Sequence, residues 1–162
     1  MTRLAFLSPD NAAPGVALVS PLQHALGEGV ADVSHLGKLE LRGPRDAVEP
    51  GPGEELLPLS PTRALLVTDG SPARARERLH GDGLRVYDMT AALAACEVEG
   101  EDVLRRLTEL DLERLPAIGS IARGTPAIID RREGERFRIF VPQELGHHLV
   151  EVILDTLRGL GR

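Results

Sequence analysis

The stretch from Val86 to Leu112, VYDMTAALAACEVEGEDVLRRLTELDL, carries the strongest fold signal in this chain of 162 residues. Apolar and polar side chains alternate from residue 94 to residue 99, and this period of two predicts a strand with one buried face. Gly100 ends the strand, and two acidic residues follow it where a helix start favours negative charge. Apolar residues at helical spacing from Val103 to Leu110 then predict a helix with one apolar face.

A shorter stretch upstream, VADVSHLGKLELRG from Val30 to Gly43, resembles the first half of that stretch. When the two are aligned by their final glycines, their apolar and acidic positions coincide. The Asp-x-Ser of the first copy, Asp32–Ser34, returns as the Asp-x-Thr of the second, Asp88–Thr90, after a slip of one residue. We therefore predict that the chain holds two versions of one unit.

The predicted domain organisation follows from this repeat. We expect an irregular N-terminal segment over 1–29 and a single domain over 30–162, built from two related halves at 30–82 and 83–162. The order of strand and helix signals is typical of an α+β fold, with mixed or antiparallel sheets and helices on one side.

Other segments have clear local signals. Residues 63–69 predict a buried strand, and Ser71 with the proline after it predicts a helix start. Residues 127–141 predict a hairpin, and an apolar stripe after Pro142 predicts the last helix. Proline and glycine predict a loop over 43–61.

Two further expectations concern less regular stretches. Residues 111–124 are also predicted to form a loop. In the strand that ends at Gly43, the charged residues Lys38, Glu40 and Arg42 alternate with leucines, so we expect these charged side chains on a solvated face.

Composition excludes some functions. The net charge of −6 argues against binding of duplex nucleic acid, and the small number of aromatic residues argues against a surface that stacks single-stranded bases. The single cysteine, Cys96, cannot form an internal disulfide, which is typical of a cytoplasmic protein. We find neither a signal-peptide core nor a run of membrane-spanning length, and we predict no membrane partner.

No strong catalytic motif is present, and we predict no catalytic residue and no metal ligand. His147 and His148 are adjacent on a helix, about 100° apart, so they cannot chelate one metal ion as an i, i+4 pair would. His147 is instead placed to pair with Glu151. Cys96 lies on the inward face of its strand, which favours an inert core thiol.

Four residues remain as candidates for ligand binding. Asp130 follows two isoleucines at the end of a strand, where a carboxylate could hold a protonated nitrogen of a ligand; the alternative is an ion pair within the hairpin. Arg123 lies beside a glycine in a loop and could contact an anion. Ser34 and His35 are neighbours before a strand, where a turn or capping role is favoured over a nucleophile pair.

The two copies resemble the aminomethyltransferase (glycine cleavage T protein) superfamily. VADVSHLGKLELRG is similar to its opening Asp-x-Ser-His and strand, VEGEDVLRRLTELDL to its strand, glycine, acidic pair and helix, and GTPAIIDRREGERFRIFVPQELGHHLVEVIL to its hairpin and following helix. Within that superfamily the chain resembles the gamma subunits of heterotetrameric sarcosine oxidases, on its Ser-Pro-Leu-x-His at residues 20–24 and its Val141-Pro142.

This resemblance implies a non-catalytic gamma-type subunit of a flavoenzyme complex that oxidatively demethylates sarcosine in one-carbon metabolism. Its partners would be larger flavoprotein subunits, and FAD, FMN and NAD would belong to those subunits, so we expect this chain to bind no cofactor itself. One alternative is a small aminomethyltransferase-like protein that binds tetrahydrofolate. Another is a homo-oligomer, such as a dimer, that has kept the fold without catalysis.

One departure from the family bears on the folate alternative. Folate-dependent members carry a Gly-Gly-Ile-x-Asp-Asp type of motif, whereas this chain has Thr-Pro-Ala-Ile-Ile-Asp-Arg at 125–131. The glycines and the second acidic residue are absent, and Arg131 would repel a cationic amine carried on folate. We therefore expect no folate catalysis by this chain alone.

Overall fold

The computed structural model describes residues 19–44, 48–81 and 83–162, so most of the predicted segment 1–29 lies outside the described residues. The described chain divides into two compact units. The first unit contains residues 35–92, and the second contains 20–34 and 93–162. These units are not the same segments as the predicted halves 30–82 and 83–162, because residues 30–34 belong to the second unit and residues 83–92 to the first. The relationship between the halves stays a prediction.

The fold is α+β, with two sheets and three α-helices in the described residues. All strand pairs of the two sheets are antiparallel, which confirms the predicted class in its antiparallel form. The strands are β1 Val30–Asp32, β2 Gly37–Arg42, β3 Glu54–Ser60, β4 Arg63–Thr68, β5 Arg85–Asp88, β6 Leu93–Glu99, β7 Ala117–Ile121, β8 Thr125–Arg131 and β9 Arg136–Pro142. The helices are α1 Pro72–Arg78, α2 Glu101–Leu107 and α3 Gly146–Gly159.

The second unit is built on a five-stranded sheet with the order β1-β6-β9-β8-β7. Cys96, Ile139 and Ile129 lie opposite one another on adjacent strands, so they share one face. The buried sides of α2 and α3 pack against that same face in one apolar cluster. Gly146 lets α3 begin close to β6, since a Cβ added there would lie 2.9 Å from the Cβ of Ala94.

The first unit is built on a four-stranded sheet with the order β3-β4-β2-β5. Its smaller apolar cluster includes Leu39, Leu66 and Ala75, which come from β2, β4 and α1. Helix α1 begins as predicted, because the Ser71 hydroxyl accepts from the Arg74 amide and Pro72 occupies the first turn. The unit therefore has its own core, although its helix has only seven residues.

Two of the predicted loops contain strands. Strand β3 lies inside the proline-rich stretch 43–61, where no regular element was expected. It is an edge strand, and its register shifts between Pro58 and Ser60, which is where a sheet tolerates a residue without an amide donor. Strand β7 likewise lies inside the predicted loop 111–124 and pairs with β8.

The predicted solvated face of β2 is wrong for Lys38 and Glu40, whereas Arg42 is exposed as predicted. Lys38 is fully buried and Glu40 is 8% exposed. The Glu40 carboxylate accepts from Arg42 Nε at 2.8 Å and from Arg63 Nε at 2.9 Å. Burial opposes the charged form of Glu40, but the hydrogen bond from Arg42 and the charge of Arg63 outweigh it and hold its pKa below the ordinary value. The alternation therefore predicted correctly that the charged residues share one face of β2, but it did not predict that most of this face is buried.

Candidate functional site

Ser34 serves the structure of the second unit. Its buried hydroxyl accepts from the Ala95 amide at 3.0 Å and donates to the Ala95 carbonyl at 3.2 Å. The Ser34 amide donates to the Asp32 carboxylate at 2.9 Å, which closes a short turn after β1. His35, the next residue, is exposed. Ser34 thus has the turn role that its sequence favoured, through its backbone amide, and its ligand-binding role stays a prediction.

Asp130 lies in a row of charges across the second sheet. The row joins Glu97 on β6, Arg138 on β9 and Asp130 on β8, which are paired in register. Arg138 Nε donates to the Glu97 carboxylate at 3.0 Å, and Arg132 Nη1 lies 3.4 Å from Asp130 Oδ2. Because the Asp130 side chain is only 5% exposed, it needs such partners to stay charged. This arrangement matches the alternative of an ion pair within the hairpin.

The other side chains that could take part in catalysis or metal binding are buried or already have a partner. Burial raises the pKa of the Cys96 thiol to about 12, so it carries little thiolate at neutral pH. His147 Nε2 lies 3.3 Å from Glu151 Oε1, as predicted. Across the described ranges, no group of three or more His, Cys, Asp or Glu side chains is placed to hold a metal ion.

Arg123 belongs to a groove in the second unit. The groove has a volume of about 760 Å³ and runs between α3, the end of α2 and the turn that joins β7 to β8. Of the four predicted residues, Arg123 is the one among the described lining residues; Ser34, His35 and Asp130 lie elsewhere. The structure therefore does not bring the four candidates together, and their ligand-binding role is untested.

The groove contains residues that the sequence did not single out. Arg106 of α2 and His148, Asp155 and Thr156 of α3 all line it. The α3 residues recur at the spacing of one helix face. The missing signal was the position of Arg106, since sequence spacing alone does not show that the end of α2 meets the β7–β8 turn.

The described residues contain no helix with the length and apolar character needed to span a membrane. No protein-family model matches the sequence, and no curated protein matches it. Solved structures do match.

One is a chain of the heterotetrameric sarcosine oxidase from Corynebacterium sp. U-96, in complex with pyrrole 2-carboxylate. It is 19% identical, with a TM-score of 0.73, and the match covers 90% of this chain and 97% of that chain. The chain has the aminomethyltransferase-like fold.

A second structure supports this statement. The glycine cleavage system aminomethyltransferase T from Bartonella henselae matches with a TM-score of 0.52 and 17% identity. That match covers 83% of this chain but 47% of the T protein, so the chain spans about half the length of that enzyme. At these identities the likeness shows a shared fold, which confirms the resemblance inferred from the sequence.

Proposed function

We propose that this chain is a non-catalytic gamma-type subunit of a sarcosine oxidase-like flavoenzyme complex. In this complex, larger partner subunits carry FAD, FMN and NAD and oxidatively demethylate sarcosine. The chain contributes a folded surface for its partners and binds no cofactor of its own.

The observation that carries this proposal is the extent of the match to the sarcosine oxidase chain. That chain is covered over 97% of its length, whereas the T protein is covered over 47%. A match over nearly the whole of the sarcosine oxidase chain supports a role as such a subunit more than a match over about half of the T protein supports aminomethyltransferase activity. The engagement of Ser34, Asp130 and Cys96 within the fold is consistent with a subunit that does no chemistry.

The test is co-purification from the native host with an affinity tag on this chain. We expect larger polypeptides in fixed stoichiometry, visible flavin absorbance and hydrogen peroxide formation that depends on sarcosine. Light scattering during chromatography gives the mass of whatever elutes. A colourless species at the mass of the tagged chain, 17.5 kDa plus the tag, or at twice that mass, would reject the proposal. The dimeric result would instead favour a homodimer that kept the fold without catalysis.

Tetrahydrofolate binding by this chain is the alternative, and Asp130 is its candidate acceptor. Because Arg132 already contacts this carboxylate, a folate amine would have to displace an existing ion pair. Calorimetry with tetrahydrofolate on wild type and Asp130→Asn decides between the two functions. The subunit proposal predicts no binding heat with either protein, whereas the folate alternative predicts heat that Asp130→Asn reduces.

A further inference from the structure

Two hydrogen bonds bring a pair of arginines to the groove of the second unit. The Ala122 amide donates to the Leu107 carbonyl at 2.8 Å. Beside it, the Thr108 hydroxyl donates to the Ser120 carbonyl at 2.7 Å. These contacts hold the end of α2 against the β7–β8 turn. Arg106 directly precedes Leu107 in the chain, and Arg123 directly follows Ala122. Both arginines line the groove.

The two arginines have no hydrogen bond or ion pair to any of the described residues, in contrast to most charged groups of this unit. Arg131 and Arg105 hold Glu101, and Arg158 Nη1 lies 2.7 Å from Asp155 Oδ1. The last pair matters because Asp155 is the one acidic residue among the described lining residues, and it already has an arginine partner. Among the described residues, the groove therefore has positive charge without an ion-pair partner, in a chain whose net charge is −6.

The turn that carries Arg123 is held in an uncommon conformation. Ala122 and Arg123 have φ angles of 48° and 64°, and Gly124 has a φ angle of 116°. Residues with a side chain rarely adopt this left-handed region, because the Cβ atom comes too close to the backbone there. Such turns between strands usually use asparagine and glycine, so an arginine here is unusual. This backbone conformation sets the direction of the Cα–Cβ bond of Arg123 at the turn.

The rest of the groove is suited to an organic ligand. Leu145, Val152 and Ala122 supply apolar surface, and Thr125 and His148 supply polar groups. Its volume of about 760 Å³ lies within the ordinary range for sites that bind small molecules, and far exceeds what a lone inorganic anion needs.

We propose that this groove binds a small organic anion, whose phosphate or carboxylate head lies between Arg106 and Arg123 and whose apolar body packs against α3. Arginine is suited to this task because its planar guanidinium donates two parallel hydrogen bonds to such a group. The site lies within the second unit and does not depend on the proposed complex.

The test uses the full chain and two model anions, phenyl phosphate and phenylacetate, followed by amide chemical shifts in NMR spectra. Benzyl alcohol is the neutral control, and inorganic phosphate is the control without an apolar body. We expect one or both of the organic anions to shift the amides near residues 106, 123–125 and 148–156. Inorganic phosphate should bind more weakly, and benzyl alcohol should not bind.

Substitutions at the two arginines then locate the head group. Arg106→Gln and Arg123→Gln should each weaken binding roughly tenfold or more, because each removes a charge-assisted contact. Arg74→Gln, on the exposed side of α1 in the first unit, is the matched control and should leave binding unchanged. The same spectra show whether each variant is folded.

Three results would overturn the proposal. They are the absence of shifts with both organic anions, equal binding of benzyl alcohol, and binding that survives both groove substitutions. If the substitutions spare anion binding but abolish co-purification with partner proteins, the groove is a protein contact and the proposal is wrong. Phenyl phosphate binding without phenylacetate binding assigns a phosphate head, and the reverse assigns a carboxylate.

Discussion

The second unit packs α2 and the 14-residue α3 on one face of a five-stranded sheet, whereas the first unit packs the seven-residue α1 on a four-stranded sheet. Their buried clusters differ accordingly, and the cluster of the second unit is several times larger. The groove that holds Arg106 and Arg123 also belongs to the second unit. The larger packed face thus provides both more apolar burial and the rigid support that a binding site needs.

The two units nevertheless contain the same local device. In each of them an aspartate carboxylate accepts a hydrogen bond from the backbone amide two residues later, at 2.9 Å. The pairs are Asp32 with Ser34 and Asp88 with Thr90. Each hydroxyl residue then bonds to the backbone of a neighbouring segment. Ser34 both accepts from and donates to Ala95, while the Thr90 hydroxyl accepts from the Lys38 amide at 3.0 Å. The paired sequence motifs therefore encode similar turns, with one turn more deeply buried.

The largest effect should come from the two cores. Phe137→Ala in the second unit should lower the free energy of unfolding by about 3–5 kcal/mol, and Leu39→Ala in the first by about 2–5 kcal/mol. Both side chains are fully buried. Ile118→Ala is the control, since Ile118 is 42% exposed, and it should cost under about 1 kcal/mol. Urea denaturation measures all three. A loss at Leu39 as small as that at Ile118 would mean that the first unit has no independent core.

The two turns should give the next largest difference. Ser34→Ala leaves the amide and carbonyl of Ala95 without their side-chain partner in a buried position, so it should cost about 1–3 kcal/mol. Thr90→Val keeps the shape and removes one acceptor from a half-buried position, so it should cost about 1 kcal/mol or less. Thermal unfolding of both variants compares them directly. Equal costs would show that burial does not distinguish the two turns.

The smallest effect should depend on pH. Hydrogen bonds from Arg131 and then Arg105 hold the pKa of Glu101 below its ordinary value of 4.5, and the pKa of Glu40 is lowered as well. A lowered pKa in the folded state means that the charged carboxylate stabilises the fold above about pH 4.5. This contribution is lost as the pH falls through the folded-state pKa.

Glu40→Gln should therefore cost about 1 kcal/mol at pH 7, and the cost of Glu101→Gln should be greater at pH 7 than at pH 3. Glu109→Gln, at an exposed site, serves as the control. Unfolding curves recorded between pH 3 and pH 7 measure the difference between each variant and wild type. A cost that does not change with pH at Glu101 would show that its ion pairs do not stabilise the fold.

Periodicity predicted much of the second unit, because its elements carry their own signal. Four predicted elements each combine an apolar pattern with a glycine, proline or acidic residue at a boundary. They are the strand before Gly100, helix α2, the hairpin of β8 and β9, and helix α3. Strand β3 was missed because its sequence, EELLPLS, contains a proline and follows several others, and only its position at a sheet edge makes Pro58 acceptable. Strand β7 was missed because it has only five residues and Gly119 interrupts its apolar pattern.

The candidate site was predictable only in part. Arg123 was identified because it stands beside Gly124, and the structure places it in the groove. Arg106 was not identified, since its neighbourhood depends on a contact between α2 and a turn that follows more than ten residues later. For Asp130, the alternative of an ion pair with a neighbouring arginine was inferred from the sequence, and the structure places Arg132 beside it. Tertiary contacts, which no single-residue pattern encodes, account for these differences.

The most direct test of the central claim is native mass spectrometry of the tagged chain purified from its own host. If the chain is a gamma-type subunit, the spectrum shows it bound to larger polypeptides in a single stoichiometry, with flavin mass retained on those partners. Gentle dissociation should then release the chain at 17.5 kDa plus the mass of the tag, without any flavin. A spectrum that contains the chain alone or paired with itself would contradict the account.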